Sequence, residues 1–230
     1  MGGDCLNTGC VPSKALLRSA KLLSQARRAS HYGLRRMSVD FDFGEVMERV
    51  QRVVAAIEPH DSVERYTKLG VEVMQGEATL VSPWEVVVRG ADGATRRLSA
   101  RSIVIAAGAR PTVPPIPGLD VVGCLTSDTV WGLRRLPRRL LVLGGGPIGC
   151  ELALAFARFG SKVVQVEMAP RLMAREDPEV SEFVERRFRD EGVDVRTGTK
   201  ALRFESDGMR KVLVAERSGS EVRIEFDELL

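Results

Sequence analysis

Apolar positions along the chain follow one plan twice. After an amphipathic helix, GVEVMQG (70–76) is followed by three strand-like runs, ATLVS, WEVVVRG and RRLSARSIVIAAG, with an ADG turn between the last two. After another amphipathic helix, built on Val180, Phe183, Val184 and Phe188, GVDVRTG (192–198) is followed by ALRFE, KVLVAE and EVRIEF. Each half therefore predicts a helix, a strand and a three-stranded meander. Ahead of the second copy, the apolar run LLVL from Leu140 meets GGGPIG. Ile148, Leu152, Ala155, Phe156 and Phe159 then recur at helical spacing, Gly160 ends the helix, and KVVQVE makes a further strand. The first copy lacks that glycine-rich strand and turn, which is expected to precede Met1. The second copy is expected to stop at Leu230, just before its counterpart of Ile105 to Gly108. Between the halves, four prolines from Pro111 to Pro117 forbid regular structure.

Composition narrows the picture mainly by exclusion. The 230 residues have room for one large or two small domains with a real core. A net charge of +3 from 34 basic and 31 acidic side chains describes an ordinary solvated surface. Arginine pairs beginning at Arg27, Arg35, Arg96, Arg134, Arg138 and Arg186 are scattered, with few aromatics between them to stack on bases, so no nucleic-acid partner is expected. No apolar run approaches the roughly 18 residues of a membrane span. With no signal-peptide pattern before Cys5, a soluble, cytoplasmic protein is expected.

The glycine turn carries the first candidate chemistry. Gly144, Gly146 and Gly149 fill the G-x-G-x-x-G positions, with Pro147 and Ile148 between them, and the flanking strand and helix complete a βαβ unit. The helix N-terminus can receive a pyrophosphate. Glu167 closes the second strand about 20 residues on, where an acidic residue would hold the adenosine ribose 2′-hydroxyl. A carboxylate there repels a 2′-phosphate, which favours NADH over NADPH, although the nearby Arg171 leaves NADPH open. A solvated strand-end charge is the plainer reading of Glu167, and helix-dipole stabilisation the plainer reading of Glu151.

The second candidate is CLNTGCVPSK, from Cys5 to Lys14. Residues five apart in a regular helix lie about 7.5 Å apart along the axis, beyond the roughly 4.4–6.8 Å Cα separation of a disulfide. The cysteines can therefore bond only if the helix start is distorted. Gly9 permits unusual backbone angles just before Cys10, and Pro12 fits a first helical turn. A cysteine at a helix N-terminus meets unpaired N–H groups, which favours its thiolate, and Lys14 adds positive charge one turn on. By spacing alone, a structural disulfide or two packed thiols remain open. A zinc site would need two further ligands that do not appear nearby. Cys124 and Cys150 read as packed thiols, and His31 and His60 as surface residues.

The run GGDCLNTGCVPSKALL resembles the redox signature of the pyridine nucleotide-disulfide oxidoreductases, the family of dihydrolipoamide dehydrogenase, glutathione reductase and mercuric reductase. The resemblance covers essentially the whole chain. It implies an α/β fold of two Rossmann-like, three-layer units that bind FAD and NAD(P), both incomplete, each with a β-meander. Residues 1–119 would form a partial FAD-binding domain and residues 120–230 an NAD(P)-binding domain truncated at its last strand. Cys5 is implied to attack the substrate disulfide and Cys10 to lie against the flavin. Lys14 is implied to sit near the flavin and pair with Glu151. Gly3, Ala107 and Gly108 are implied flavin contacts, the latter two at the end of a strand in SIVIAAGARP. No metal site is implied within the chain. The implied activity is electron relay between nicotinamide, flavin and a Cys5–Cys10 disulfide, acting on a small-molecule disulfide or dithiol in a homodimeric enzyme about twice this length. The expected activity is dehydrogenase-like. The run REDPEVSE (175–182) equally resembles the mercuric reductase branch, and a non-catalytic thiol sensor is the rival from another class. Without the implied flanking parts, the segment alone is expected to show little turnover.

Overall fold

The computed structural model describes residues 1–35 and 37–230; the second arginine of the Arg35 pair lies outside them. A short helix, α1 (Gly3–Asn7), and a long one, α2 (Cys10–Arg27), are followed by α3 (Phe43–Ile57) and α4 (Val63–Lys68). Strands β1 (Glu77–Ser82), β2 (Glu85–Arg89) and β3 (Thr95–Ser99) form an antiparallel meander. After α5 (Leu119–Val122) come β4 (Arg139–Leu143), α6 (Pro147–Phe159), β5 (Lys162–Val166), α7 (Pro178–Asp190) and β6 (Asp194–Arg196). A second meander, β7 (Thr199–Ser206), β8 (Lys211–Arg217) and β9 (Ser220–Phe226), leads into β10 (Glu228–Leu229).

The parallel sheet runs in the order β10-β4-β5-β6. Alternation along β4 gives it two apolar faces. Leu140 and Val142 join the helical core, whereas Leu141, with Val166 from β5, packs against Phe204, Leu213 and Phe226 of the second meander. Helix, sheet and meander therefore make three layers in the second half. Pro147 starts α6 where a missing N–H costs nothing, and Gly160 ends it at a φ of 116°. The buried stripe of α6 lies on α2 through Ala15, Leu16, Ala20 and Leu23. Phe43 of α3 stands 5.7 Å from Phe156 and 5.5 Å from Phe159, centroid to centroid. Each such side chain stabilises the fold by about 1.5–3 kcal/mol relative to exposure. One apolar cluster thus spans the proposed boundary at Leu119 and fixes the cysteine-bearing helix against the glycine-turn helix.

Several expectations are corrected. GVDVRTG supplies β6, paired parallel with β5, but the matching GVEVMQG forms no strand. Ile103 to Gly108 forms none either, and Val104 and Ile105 are exposed. The reason is tertiary: no parallel strand stands beside these segments among the described residues, and an unpartnered apolar run has no ladder to join. From Gln51 to Gly118 no residue is buried. The first unit is thus represented by its helices and meander and contains no parallel sheet. The second half does begin its last strand: β10 pairs with Leu140 and Leu141, and Leu230 bonds to Leu141 and Leu143. Asp227 sets this register by bonding Arg139, and the guanidinium holds the Asp227 carboxyl below its ordinary range. Finally, Val180, Phe183 and Ile148 are exposed. The buried side of α7 passes through Ser181 and Phe188, and Ile148 faces a cavity.

Candidate active site

The two cysteines flank a curled turn rather than lying along one helix. Cys5 ends up in α1 and Cys10 opens α2, with both thiols free and exposed. The backbone carbonyl of Asp4 accepts N–H bonds from Thr8 at 2.9 Å and Gly9 at 2.5 Å, which folds the intervening residues back. Glycine is required at position 9, because a Cβ there would stand 2.8 Å from that carbonyl oxygen. The neighbouring Cys10 side chain is the first cause that raises the Cys5 pKa, ahead of desolvation. Here the distortion that the spacing demands is realised by a break between two helices.

Lys14 projects from α2 onto α6, where its Nζ donates to both oxygens of Glu151, at 2.6 and 2.7 Å. The pair is half exposed, so its direct contribution to stability is at most about 1 kcal/mol. Its consequence is positional: a cation one turn from Cys10 is held beside the start of the glycine-turn helix. On the other side of the cysteines, the Asp4 carboxylate accepts the Ala109 N–H at 3.1 Å. A Cβ on Gly108, whose φ is 71°, would lie 3.2 Å from that carboxylate. Gly3, Cys5, Cys10 and Lys14 thus share one region with Gly108 and Ala109, although Ala107 belongs to no strand.

The glycine turn is held from beneath. Gln165, fully buried, donates to Gly144 O at 3.0 Å, and the Cys150 thiol donates to Gly145 O at 3.4 Å. Burial, opposed by the Gln165 contact, pushes the Cys150 thiol up to about 11, so it remains protonated. Glu167 accepts N–H bonds from Gly145 and Ala169, both at 2.6 Å. Above the turn lies a cavity of about 730 Å³, lined by Gly144, Gly146, Pro147, Ile148, Gly149 and Glu167 among others. The first-turn N–H groups of α6, at Ile148 and Gly149, have no intrahelical partners. Close approach explains the third glycine: a Cβ on Gly149 would stand 2.8 Å from Gly144 O. Gly149→Ala should therefore distort the turn at a cost of about 1–3 kcal/mol. Thermal unfolding of the variant checks this, and an unchanged melting temperature contradicts it.

Arg171 turns away from Glu167 to the carbonyls of Ala174 and Glu176. His31 and His60 are exposed, and no group of three or more metal-ligating side chains occurs among the described residues. No helix is long and apolar enough to cross a membrane among the described residues. Asp4 and Gln165 were not foreseen as part of this arrangement. Only Asp4, an acid beside the first cysteine, carried a local signal.

The family model described as pyridine nucleotide-disulphide oxidoreductase matches residues 1–230. A dihydrolipoyl dehydrogenase of Chlorobaculum tepidum is 38% identical over 95% of the chain, and a mercuric reductase of Streptomyces lividans 37% identical over 96%. The chain spans about half of these relatives, 47% of each. Among solved structures, LpdA from Mycobacterium tuberculosis superposes with a TM-score of 0.81 at 26% identity, covering 100% of this chain and 50% of that one. The HOCl-induced flavoprotein disulfide reductase RclA from Escherichia coli, as its Cu(II) complex, gives 0.78 at 28% identity, covering 99% and 47%.

Proposed function

Because this chain belongs to the pyridine nucleotide-disulphide oxidoreductase family, we propose that the full-length protein is an FAD-dependent, NADH-linked disulfide oxidoreductase whose exchanging thiols are Cys5 and Cys10. The observation that carries this reading is the curled turn, folded back on Asp4 O, that sets Cys5 and Cys10 at its two ends beside the Lys14–Glu151 pair.

The residues fit both cofactors. For the nicotinamide nucleotide, the Gly144, Gly146 and Gly149 turn leaves room for close backbone approach, and Gly146 has open space where a Cβ would stand. Pro147 and Ile148 complete that wall, and Glu167 would hold the ribose. Its carboxylate, tied at both oxygens, cannot swing aside for a 2′-phosphate, which supports NADH over NADPH. For FAD, Gly3, Lys14, Ala107 and Gly108 would line the contact, and Gly3 likewise has open space where a Cβ would stand. When bound, the two cofactors supply the hydride and electron-transfer chemistry.

The protein's own part is thiol–disulfide exchange. The Cys5 thiolate attacks one sulfur of a small-molecule disulfide and expels the other as a thiolate, giving a mixed disulfide at Cys5. Cys10 then attacks the Cys5 sulfur, releasing the second substrate thiol and leaving a Cys5–Cys10 disulfide. Lys14, oriented by Glu151, keeps positive charge one turn from Cys10. Oxidation of a dithiol substrate such as dihydrolipoamide runs the same exchange in reverse. The setting we propose is a cytoplasmic homodimer. The mercuric reductase reading stands beside the dehydrogenase reading because the two relatives are 37% and 38% identical. Parallel assays with lipoamide and mercuric ion separate them.

Anaerobic addition of NADH to the air-isolated full-length protein should expose two alkylatable thiols, at Cys5 and Cys10. NADH binding with no thiols released would favour a nucleotide-binding thiol sensor.

A further inference from the structure

Trp131 connects the cysteine turn to the second half of the chain. It lies in a short 3₁₀ turn, Val130–Gly132, ahead of β4, and is 6% exposed. Its ring belongs to the helical core, and its Nε1–H donates to Ser127 O at 2.7 Å and Thr8 O at 3.0 Å. Thr8 sits between the two cysteines. Its N–H is already held by Asp4 O at 2.9 Å. Both backbone polar groups of this residue are thus fixed, one from within the turn and one from an element 123 residues away.

We infer that Trp131 is a positioning residue for the Cys5–Cys10 pair: its indole N–H holds the peptide between the cysteines in the curl from which the disulfide closes. The inference rests on the redox role proposed for that pair. Closing a disulfide costs chain entropy when the dithiol turn is loose, and less when the turn is already ordered. A turn fixed in the dithiol state therefore favours the disulfide and makes the reduction potential more negative. Losing the bond moves the equilibrium toward the dithiol. The reaction is the ordinary two-electron, two-proton couple of one disulfide and two thiols, exchanged with an external dithiol.

The test is Trp131→Phe in the full-length protein, which keeps an aromatic ring in the core and deletes the donor. The protein is equilibrated against graded ratios of reduced and oxidised dithiothreitol, and alkylation at Cys5 and Cys10 is counted. The variant should favour the dithiol three- to tenfold over wild type, which is about 14–30 mV less negative at 29.6 mV per decade. Its melting temperature should fall by only a few degrees, for the smaller ring and the lost hydrogen bonds. An unchanged equilibrium in a folded variant overturns the inference. Should the variant fail to fold, hydrogen exchange of the wild-type indole N–H decides. Strong protection in the dithiol form is expected, and exchange as fast as that of Trp84, which is 62% exposed, overturns the inference. A wild-type protein that forms no Cys5–Cys10 disulfide at any ratio defeats the redox reading itself, and the inference with it.

Discussion

Cys5→Ser and Cys10→Ser should each lower disulfide-reducing turnover of the full-length protein by at least about 10³-fold, the scale on which removing a catalytic nucleophile acts. A serine hydroxyl neither attacks a disulfide at neutral pH nor forms one. The two variants should nevertheless fail differently. With Cys10 gone, Cys5 still attacks but nothing resolves the product, so a substrate adduct accumulates on Cys5. With Cys5 gone, no adduct forms there. Intact-mass measurement after mixing with a small disulfide reads this directly. Both thiols are exposed, so each substitution should leave the melting temperature nearly unchanged. An adduct on Cys10 in the Cys5→Ser protein, with none on Cys5 in the other, would reverse the assigned roles.

Glu191→Ala should be strongly destabilising. The Glu191 side chain is 9% exposed and its Oε1 lies 2.7 Å from Arg187, 2.8 Å from Arg158 and 3.3 Å from Arg28. Ser24 donates to both carboxylate oxygens, so α2, α6 and α7 meet at this one group. Arg158 is itself only 11% exposed, with a buried Nε that finds no partner. Removing the carboxylate would strand that charge, at a cost of about 3–5 kcal/mol. For a protein of this size the melting temperature should fall by roughly 6–20 °C. Burial alone would raise the Glu191 pKa, but the bonds from Arg158 and Ser24 and the charge of Arg28 outweigh it and leave the group below its ordinary value. A carboxyl whose folded pKa is depressed contributes fully above its unfolded value of about 4.3 and loses that contribution as pH falls through the folded value. The gap between wild type and variant should therefore be full at pH 7 and shrink on acidification below about 4.3. A gap that stays constant with pH would show that the carboxylate charge is not the source.

What the sequence revealed depended on how local the signal was. The strand from Leu140, the glycine turn and the helix ending at Gly160 were readable because one short stretch carries strand hydrophobicity, turn chemistry and helical period together. The Lys14–Glu151 pair became readable only through the family signature, since 137 residues separate its members. GVEVMQG and GVDVRTG read alike, yet one is a strand and the other is not, because pairing is decided by neighbours outside the segment. Glu191, Arg158, Gln165 and Trp131 left no pattern at all. Each acts through partners brought near by packing, and a single buried polar residue among surface-like neighbours has no periodicity to reveal it. The turn between the cysteines stood midway: its distortion was required by the spacing, but its form, with Asp4 O gathering two N–H groups, was not.

The most direct measurement is the baseline of the NADH experiment. Full-length protein isolated under air is alkylated without reductant, digested and mapped at Cys5 and Cys10. The account predicts that both escape alkylation and that their peptide is lighter by two hydrogens, until NADH makes both reactive together. Two cysteines freely alkylated in the air-isolated protein would contradict it.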